Sequence, residues 1–350
     1  MYKMRITLVL AAWMAFASSA TAQYTYTDIS WPSSDTVNAA AYGINDYNVV
    51  TGYLQLPGEQ NGFLYSGGRW TLLSLQNATQ PVSLFGSSNQ GLIVGRIQPT
   101  VPGAVKAYIH GPVTLNRLES AIIDGALKYP DPLAIETQFL AINPYGTEAV
   151  GFYMDGSPPG TQGAFTMKLN QSTFNGGTFV PFAHPGAEIT DVSGIDNADD
   201  VVGAYGPSSG PSTGFRYDAA TKSFTNISYP GAVSTWAEGI SSYGVVVGVY
   251  QGAAGPFDVH GFVLNCGTYA PLNYPGAQQT LAFGVNRNGI IVGEYYVKTS
   301  TGIQVRAFMA TPTTVCPAAV SPSEVSPASP ASGEVQFLGY QLKGLPPARE

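Results

Sequence analysis

A glycine-containing segment recurs six times along the chain, and this repetition limits the possible folds more than any other feature. Each copy holds a polar turn and then an apolar stretch that ends at a glycine. The copies are GINDYNVVTGY (43–53), SSNQGLIVGR (87–96), AINPYGTEAVGFY (141–153), GIDNADDVVGAY (194–205), GISSYGVVVGVY (239–250) and GVNRNGIIVGEYY (284–296). The final glycines of the last three copies, Gly203, Gly248 and Gly293, are 45 residues apart. A period of about 40–45 residues is typical of propeller blades or helical arrays, and β-branched segments without helical periodicity favour the propeller.

The polar turn has the same chemistry in every copy. Its first residue can bond back to the turn backbone: Asn45, Ser88, Asn143, Asp196, Ser241 and Asn286. Three residues later comes a residue that tolerates the left-handed conformation: Asn48, Gly91, Gly146, Asp199, Gly244 and Gly289. This pattern predicts a three-residue hairpin loop and two antiparallel strands per copy. The third copy has one extra residue between Gly146 and Gly151, which predicts a wider turn.

Two further strand patterns follow each pair. The third-strand pattern reads NGFLY (61–65), KAYIH (106–110), GAFTM (163–167), TGFRY (213–217), HGFVL (260–264) and RAFMA (306–310). The fourth reads WTLLSLQ (70–76), FVPFAHP (179–185), FTNISYP (224–230) and YAPLNYP (269–275). The second copy shows the fourth strand only weakly, at 113–118, before an irregular insertion at 119–137. Four antiparallel strands per repeat are typical of one propeller blade.

The sixth copy lacks a fourth strand, because the chain reads TVCPAAV from 314 onward. A near-copy of FTNISYP stands instead at the start of the mature chain, as YTDISWP (26–32). An N-terminal strand that completes the last blade leaves no open edge between the first and last blades. The sequence therefore predicts an all-β fold: a six-bladed β-propeller over residues 23–316, with four antiparallel strands per blade and a ring closed by the N-terminal strand.

These repeats resemble the HAF family of extracellular repeat proteins over residues 26–310. The family motif is most complete in GVNRNGIIVGEYY (284–296) and in His260-Gly261-Phe262. Elsewhere only the aromatic position is well kept, as in Arg306-Ala307-Phe308 or Lys106-Ala107-Tyr108. The resemblance implies a secreted bacterial β-repeat protein and brings no catalytic residues, since the shared motif is structural.

The first residues predict export. Lys3 and Arg5 precede an apolar run (6–16), and Ala20-Thr21-Ala22 stands before Gln23. A basic start, a short apolar run and an A-x-A site are typical of a cleavable signal peptide, here residues 1–22. The run is shorter than the roughly 20 residues that span a bilayer, so no membrane span is expected. We expect a protein secreted to the periplasm or the extracellular space.

Charge and composition limit the partners. Removal of Lys3 and Arg5 leaves 13 basic and 22 acidic residues, a net charge of −9. This balance argues against binding to nucleic acid, which requires clustered Lys and Arg. Residues 317–350 begin with a Pro-, Ser- and Ala-rich stretch and are expected to form a disordered tail. We expect a monomer without a cofactor.

The loops between second and third strands differ in every repeat, which favours them as the binding surface of a rigid ring. We call the side of the molecule that carries them the loop face. Near their roots lie Tyr53 and the candidate binding residues Arg96, Tyr153, Tyr205, Tyr250, His260, Glu294 and Tyr295. Aromatic rings around a depression suit sugars or apolar partners. The alternative is that these tyrosines pack blade against blade.

The links between blades also recur, as HPGAEIT (184–190), YPGAVST (229–235) and YPGAQQT (274–280). Pro-Gly after an aromatic residue is turn chemistry, so a structural role is favoured. The alternative is a repeated ligand contact from Thr36, Thr190, Thr235 and Thr280.

Catalytic and metal signals are weak. His110, His184 and His260 lie in different repeats and have no metal-ligand spacing. The DNADD stretch (196–200) is interpreted as a hairpin turn rather than a calcium loop. We therefore predict no catalytic residues and no metal site, although carboxylates from different blades could meet as an acid/base pair.

Cys266 and Cys316 are the only cysteines. In an oxidising compartment two cysteines readily form a disulfide, and two free thiols are the alternative. The bond would join the end of the third strand of the fifth repeat to the C-terminal exit, after the third strand of the sixth.

The function predicted from the sequence is a secreted, non-enzymatic binding module that recognises a carbohydrate or a cell-surface protein through the loop face. One alternative is an extracellular hydrolase or lyase with a site at the central channel. Another is a purely structural envelope component.

Overall fold

The computed structural model describes the following residues: 24–29, 31, 38–56, 58–73, 82–97, 106–110, 129–156, 162–170, 177–255, 257–300 and 302–313. All of them belong to one compact unit within residues 1–316. The predicted signal peptide, the weak strand at 113–118, Thr36, Cys316 and the predicted tail lie outside the described residues.

The described residues form an all-β fold. Its strands are β1 (Tyr24–Asp28), β2 (Asn38–Ile44), β3 (Val50–Leu56), β4 (Glu59–Ser66), β5 (Arg69–Leu73), β6 (Val82–Ser87), β7 (Ile93–Ile97), β8 (Lys106–His110), β9 (Ala134–Ile142), β10 (Glu148–Asp155), β11 (Gln162–Leu169), β12 (Gly177–Phe182), β13 (Ile189–Ile195), β14 (Val201–Gly206), β15 (Thr213–Asp218), β16 (Ser223–Ile227), β17 (Ser234–Ile240), β18 (Val246–Gln251), β19 (Val259–Asn265), β20 (Thr268–Leu272), β21 (Gln279–Val285), β22 (Ile291–Thr299) and β23 (Gly302–Pro312). The predicted strands are therefore present wherever the chain is described. The expected irregular insertion at 119–137 is wrong in its last part, because β9 begins at Ala134 and pairs along its length with β10.

Consecutive strands pair antiparallel, and the pairings divide the strands into six groups among the described residues. We number them group 1 (β2–β5), group 2 (β6–β8), group 3 (β9–β12), group 4 (β13–β16), group 5 (β17–β20) and group 6 (β21–β23 with β1). Groups 5, 6 and 1 are joined into one twelve-stranded sheet by single parallel pairings, His260 with Thr280 and Asn38 with Val305. The first strands of successive groups contact each other in the order β2, β6, β9, β13, β17, β21 and again β2.

The predicted hairpin turn is confirmed in all six groups. The residue three positions after the turn's first residue has a positive φ in each case, 62° at Asn48 and 72° at Gly289, for example. In every group the side chain of the first residue accepts a hydrogen bond from the backbone N–H four residues ahead. Asn286 Oδ1, for example, accepts from the backbone N–H groups of Asn288 and Ile290 at 3.0 and 3.1 Å. Asn adds a link that Ser and Asp lack, since Asn286 Nδ2 donates to the Asn45 carbonyl in group 1. The third turn is one residue wider, as expected. The backbone N–H of Asn143 donates to the carbonyl of Glu148, five residues ahead, whereas that of Asn45 donates to Val49, four residues ahead.

Packing explains the two residues that recur most strictly. The glycine that ends each repeat motif lies where its strand crosses its neighbour closely, so that a Cβ atom on Gly293 would overlap the carbonyl oxygen of Leu281. The aromatic residue of the third strand fills the core, and its members Phe63, Phe165, Phe215, Phe262 and Phe308 are fully buried. Burial of a phenylalanine contributes roughly 1.5–3 kcal/mol relative to exposure, so each group depends on this position.

The N-terminal strand pairs with the last strand of the chain. β1 lies antiparallel to β23 with Tyr26 opposite Ala310, and this confirms the predicted pairing. Asp28 at its end accepts hydrogen bonds from the Tyr295 hydroxyl at 2.9 Å and from Arg306 at 3.2 Å. The strand that the sixth repeat lacks is thus supplied by the other end of the chain.

Candidate functional site

The first strand of each group contains a β-bulge at the same repeat position. The shift in pairing register places one extra residue just before the small residue that opens the turn motif. These bulge residues are Tyr42, Phe85, Leu140, Ser193, Glu238 and Phe283. All six are partly exposed, whereas the residues just before them are buried. A bulge re-aims a side chain, and here it turns six side chains away from the core.

Three of the bulge residues form an aromatic surface across groups 6, 1 and 2. The Tyr42 ring lies between its neighbours, with its centroid 4.8 Å from that of Phe85 and 5.1 Å from that of Phe283. Tyr42 also stacks on Tyr53 at 5.8 Å. Because β3 runs from the hairpin turn to the second-to-third-strand loop and Tyr53 follows Gly52 in it, this surface lies on the loop side of Gly52. We call the bulge residues and the side chains facing them the bulge site.

Two of the sequence candidates, Arg96 and Glu294, belong to the bulge site. Each occupies the position of Tyr53 in its own repeat, directly after the second glycine. The Arg96 guanidinium lies 5.8 Å from the centroid of the Phe85 ring. Glu294 is 7% exposed and accepts a hydrogen bond of 2.8 Å from the Tyr296 hydroxyl. Burial raises the pKa of Glu294 despite this hydrogen bond.

The charges of Glu294 and Arg96 both act on the tyrosines of the aromatic surface. Burial, followed by the negative charge of Glu294, raises the pKa of Tyr42, and the charge of Arg96 opposes the shift. The same two charges act in the same directions on the pKa of Tyr53, again after burial. Groups 6, 1 and 2 thus bring a carboxylate, a guanidinium and aromatic rings into one site.

Groups 4 and 5 contribute acidic and hydroxyl side chains at the equivalent positions. Glu238 forms a hydrogen bond with the Ser193 side chain, and its pKa is raised to about 7, mainly by burial and further by the charge of Asp191. Burial also raises the pKa of Asp191, which accepts a hydrogen bond from Gln162 Nε2. This part of the site can therefore both donate and accept protons near neutral pH.

Below the bulge residues the first strands pack closely. A Cβ atom on Gly284 would lie 2.8 Å from the carbonyl oxygen of Tyr42, and one on Gly86 would lie 3.3 Å from the Ala141 Cα. On the turn side a small cavity of about 50 Å³ is lined by the residue after this close approach in all six groups: Ile44, Ser87, Ile142, Ile195, Ile240 and Val285. The turn-side cavity is also lined by polar residues, among them Asp46, Ser242 and Arg287, whereas the aromatic bulge residues lie on the loop side of the close approach.

The four candidate tyrosines lie elsewhere. Each stands one position later than Arg96 and Glu294 and so points to the other side of its strand. Each stacks at nearly parallel planes on the aromatic residue of the preceding link, with centroid distances of 3.8 Å for Tyr129–Tyr153, 3.6 Å for His184–Tyr205, 3.8 Å for Tyr229–Tyr250 and 3.7 Å for Tyr274–Tyr295. These stacks pack one group on the next, in agreement with the alternative noted above. The tyrosines' role as ligand contacts stays a prediction.

The link threonines have a structural role. Thr190, Thr235 and Thr280 are buried, and each hydroxyl accepts a hydrogen bond from the backbone N–H of the stacked aromatic residue at 2.9–3.0 Å. Thr137 does the same for Tyr129, although its link is two residues longer. The threonines hold the aromatic residue in its stacking position, which explains why the link motif recurs.

His260 lies apart from the bulge site. Its Nε2 is 2.7 Å from Asp258 Oδ1, and its ring lies 5.3 Å from that of Tyr250. Cys266 lies in the turn between β19 and β20 with a φ of 50°, and the disulfide to Cys316 stays a prediction. Among the described residues, no three His, Cys, Asp or Glu side chains form a group suited to a metal ion. No helix in the described part of the chain is long and apolar enough to span a membrane.

No family model matches the chain, and no curated protein sequence matches it. Solved structures with partial similarity include TolB from Acinetobacter baumannii, which is 11% identical with a TM-score of 0.46 over 78% of this chain and 64% of the TolB chain. A protein of unknown function from Dyadobacter fermentans is 11% identical with a TM-score of 0.48, over 82% of this chain and 99% of that one. A mutant of the Aleuria aurantia lectin AAL, in complex with Fucalpha1-6GlcNAc, is 11% identical with a TM-score of 0.42. The match covers 81% of this chain and 97% of the lectin chain. The chain spans less than two thirds of the TolB chain, and at such TM-scores these similarities assign no ligand or reaction to it.

Proposed function

We propose that this chain is a six-bladed β-propeller that binds a carbohydrate at the bulge site and performs no chemistry on it. The observation that carries the proposal is the contrast within one repeat position. Six equivalent bulge residues carry aromatic, aliphatic, hydroxyl and carboxyl groups, and all are partly exposed beside a tightly packed frame. Variation on a rigid, repeated frame is typical of binding surfaces.

Contacts between group 6 and group 1 support a closed ring with each group as one blade. Ile29, just after β1, is 2% exposed in a cluster that contains Ala39 of β2 and Ala307 of β23. The Trp31 ring packs edge-on against Trp70 at 5.4 Å. The turn-side cavity, which is lined by all six groups, then marks the axis of the ring.

A truncation tests the closed ring. Residues 29–316 lack β1, so the edge of β23 would be unpaired and the ring would open. We expect this variant to lose most of its thermal stability, or to dimerise, relative to residues 23–316. Adding a synthetic peptide of residues 23–33 should restore the stability in trans. If the truncated protein melts at the same temperature as residues 23–316 and stays monomeric, the closed ring is wrong.

The chemistry of the bulge site fits a sugar. Aromatic faces pack on the C–H faces of a pyranose, and the rings of Phe85 and Phe283 flank that of Tyr42 at interplanar angles of 57° and 47°. The Glu294–Tyr296 pair and the Glu238–Ser193 pair can exchange hydrogen bonds with hydroxyl groups. A few polar groups around an aromatic surface are typical of small-molecule sites.

A glycan array with site variants tests binding. Phe283→Ser and Tyr42→Ser each remove one aromatic face, and we expect each to weaken the bound glycan at least about tenfold. Tyr47→Ser is the matched control, because Tyr47 is 54% exposed on a hairpin turn. The proposal fails if no glycan binds, or if the Tyr47 variant weakens binding as much as the bulge variants do.

Hydrolysis is the second candidate function, and the pKa of Glu238 favours it. A carboxyl with a pKa of about 7 is suited to general acid catalysis at neutral pH, and Asp191 is a second carboxyl close by. To separate the two functions, the glycans that bind are incubated with the unsubstituted protein and with Glu238→Gln, and cleavage is measured. If the unsubstituted protein cleaves a glycan and Glu238→Gln lowers the cleavage rate by about 10²-fold or more, the protein is a hydrolase. Binding without cleavage in both proteins supports the binding module.

We also propose export to the periplasm or the cell exterior and membership of the HAF repeat family. Both rest on the sequence, through the signal pattern of residues 1–22 and the repeat motif. N-terminal sequencing of the protein from the periplasmic or culture fraction should begin at Gln23. A protein retained in the cytoplasm with Met1 intact would contradict export.

A further inference from the structure

We propose that the sugar bound at the bulge site carries a carboxylate, and that the Arg96 guanidinium binds it. This inference deepens the proposed carbohydrate function and rests on it. The ligand class is a hexuronic acid, either as a free unit or within an acidic oligosaccharide.

Arg96 is placed for this role by its strand. It lies in β7 opposite Ser83, with its guanidinium 5.8 Å from the centroid of the Phe85 ring. It makes no hydrogen bond or ion pair with the part of the chain that the structure describes. The five N–H donors of a guanidinium form a planar fork that matches the two oxygens of a carboxylate. The fork is thus held beside the aromatic surface and is available to a ligand.

Arg96 offers a cation to an anionic ligand at the site. Burial is the main cause that raises the pKa values of the carboxyl groups Glu294, Glu238 and Asp191, and the pKa of Glu238 rises to about 7. A guanidinium is positively charged and binds a carboxylate through its planar fork of N–H donors. The chain as a whole has a net charge of −7, so attraction of an anion to this protein requires a local cation of this kind.

The aromatic neighbours distinguish a sugar acid from a simple anion. Phosphate or sulfate could use the guanidinium, but neither would cover the rings of Tyr42, Phe85 and Phe283. A pyranose with a carboxylate uses both, because the ring C–H groups pack on an aromatic face while the carboxylate reaches the cation. The juxtaposition of Arg96 with this surface is therefore the observation that selects a uronic acid.

Calorimetry with matched oligosaccharides tests the inference. The probes are trigalacturonic acid, a hyaluronan tetrasaccharide, a trimannuronate, and the methyl ester of each, which removes the charge and keeps the sugar. We expect at least one acid to bind about tenfold or more tightly than its methyl ester, with an affinity that falls as NaCl is raised. Arg96→Gln should weaken the acid about tenfold or more and leave the ester within about threefold, and Arg96→Lys should lie between. Arg69→Gln, an exposed arginine in β5, is the control.

The outcomes separate this inference from the proposed function. One outcome is that neutral sugars bind through Phe283 and Tyr42, that acids bind no more tightly, and that Arg96→Gln leaves the affinities unchanged. In that case the inference of a carboxylate ligand is wrong and the proposed carbohydrate function stands. If phosphate competes fully with the acid and the aromatic variants have no effect, the site binds anions without regard to the sugar and the inference is wrong. If no acid, ester or neutral oligosaccharide binds, both proposals fail.

Discussion

Two positions near the turn end of each first strand follow opposite rules. At the turn end, Asn45, Ser88, Asn143, Asp196, Ser241 and Asn286 differ in chemistry but do the same task, since each side-chain oxygen caps the backbone of its own turn. At the bulge, three residues earlier in the sequence, six equivalent side chains differ in chemistry and share only their partial exposure. The comparison teaches that in a repeat protein the positions with one shared contact maintain the fold. Positions that share only their exposure are where a ligand site can develop.

Substituting the frame glycine should give the largest effect. In Gly293→Ala the new Cβ would overlap the Leu281 carbonyl oxygen, and the strand cannot move without breaking its ladder. We expect a loss of at least about 4 kcal/mol in the free energy of unfolding, or no folding at all. Urea denaturation measures it against Gly276→Ala, where the Cβ meets nothing but φ is 79°. Equal losses in the two variants would mean that close packing does not explain the repeat glycine.

The turn residue comes next. Asn286→Ala removes the acceptor of two backbone N–H groups and the donor to the Asn45 carbonyl. We expect a loss of about 3 kcal/mol by thermal or urea denaturation, because buried polar groups are left unpaired. Asn286→Asp keeps the acceptor and should lose about 1 kcal/mol, which isolates the link between groups 6 and 1. If Asn286→Ala leaves the free energy of unfolding unchanged, the distinction between the turn position and the bulge position is lost.

At the bulge we expect a substitution that stabilises the folded protein instead of destabilising it. Burial raises the folded-state pKa of Glu238 from 4.5 to about 7, so between these values the folded protein keeps a proton that the unfolded chain has released. Stability contributed by this group therefore falls as the pH rises through that window. Glu238→Gln should stabilise the protein by about 2 kcal/mol at pH 8 and change little at pH 4, as measured by urea denaturation. Glu59→Gln, an exposed residue in β4, is the control, and a destabilised Glu238→Gln at pH 8 would contradict the prediction.

The smallest change in stability is expected for an aromatic bulge residue. Phe283 is partly exposed and lies on the aromatic surface rather than in the core, so Phe283→Ser should cost under about 1 kcal/mol by thermal denaturation. The fully buried Phe308 of β23 is the comparison, where Phe308→Ser should cost more than about 3 kcal/mol. Similar losses for both would show that the bulge residues maintain the fold.

The frame was predictable because its signals are local. Turn residues, β-branched runs and a displaced fourth-strand motif indicated the strands and the pairing of β1 with β23, since each depends on chemistry within a few residues. The site was harder to predict from the sequence. Tyr53 and Tyr250 were grouped together, although Tyr53 directly follows its glycine and Tyr250 follows one residue later, which places them on opposite sides of their strands. The bulge residues were missed because strict alternation hides an extra residue. The available signal was the variable residue before the small residue that stands two positions ahead of each turn: Gly43, Gly86, Ala141, Gly194, Gly239 and Gly284.

The pairing of β1 with β23 has a consequence for biosynthesis. β1 is synthesised before the other described strands, and its partner β23 is the last of them, with Tyr26 opposite Ala310. The nascent molecule must therefore carry an unmated β-edge through nearly all of its production, when such an edge is most prone to intermolecular association. The contact can form only after β23 has been synthesised, and such long-range contacts belong to the class that slows folding most.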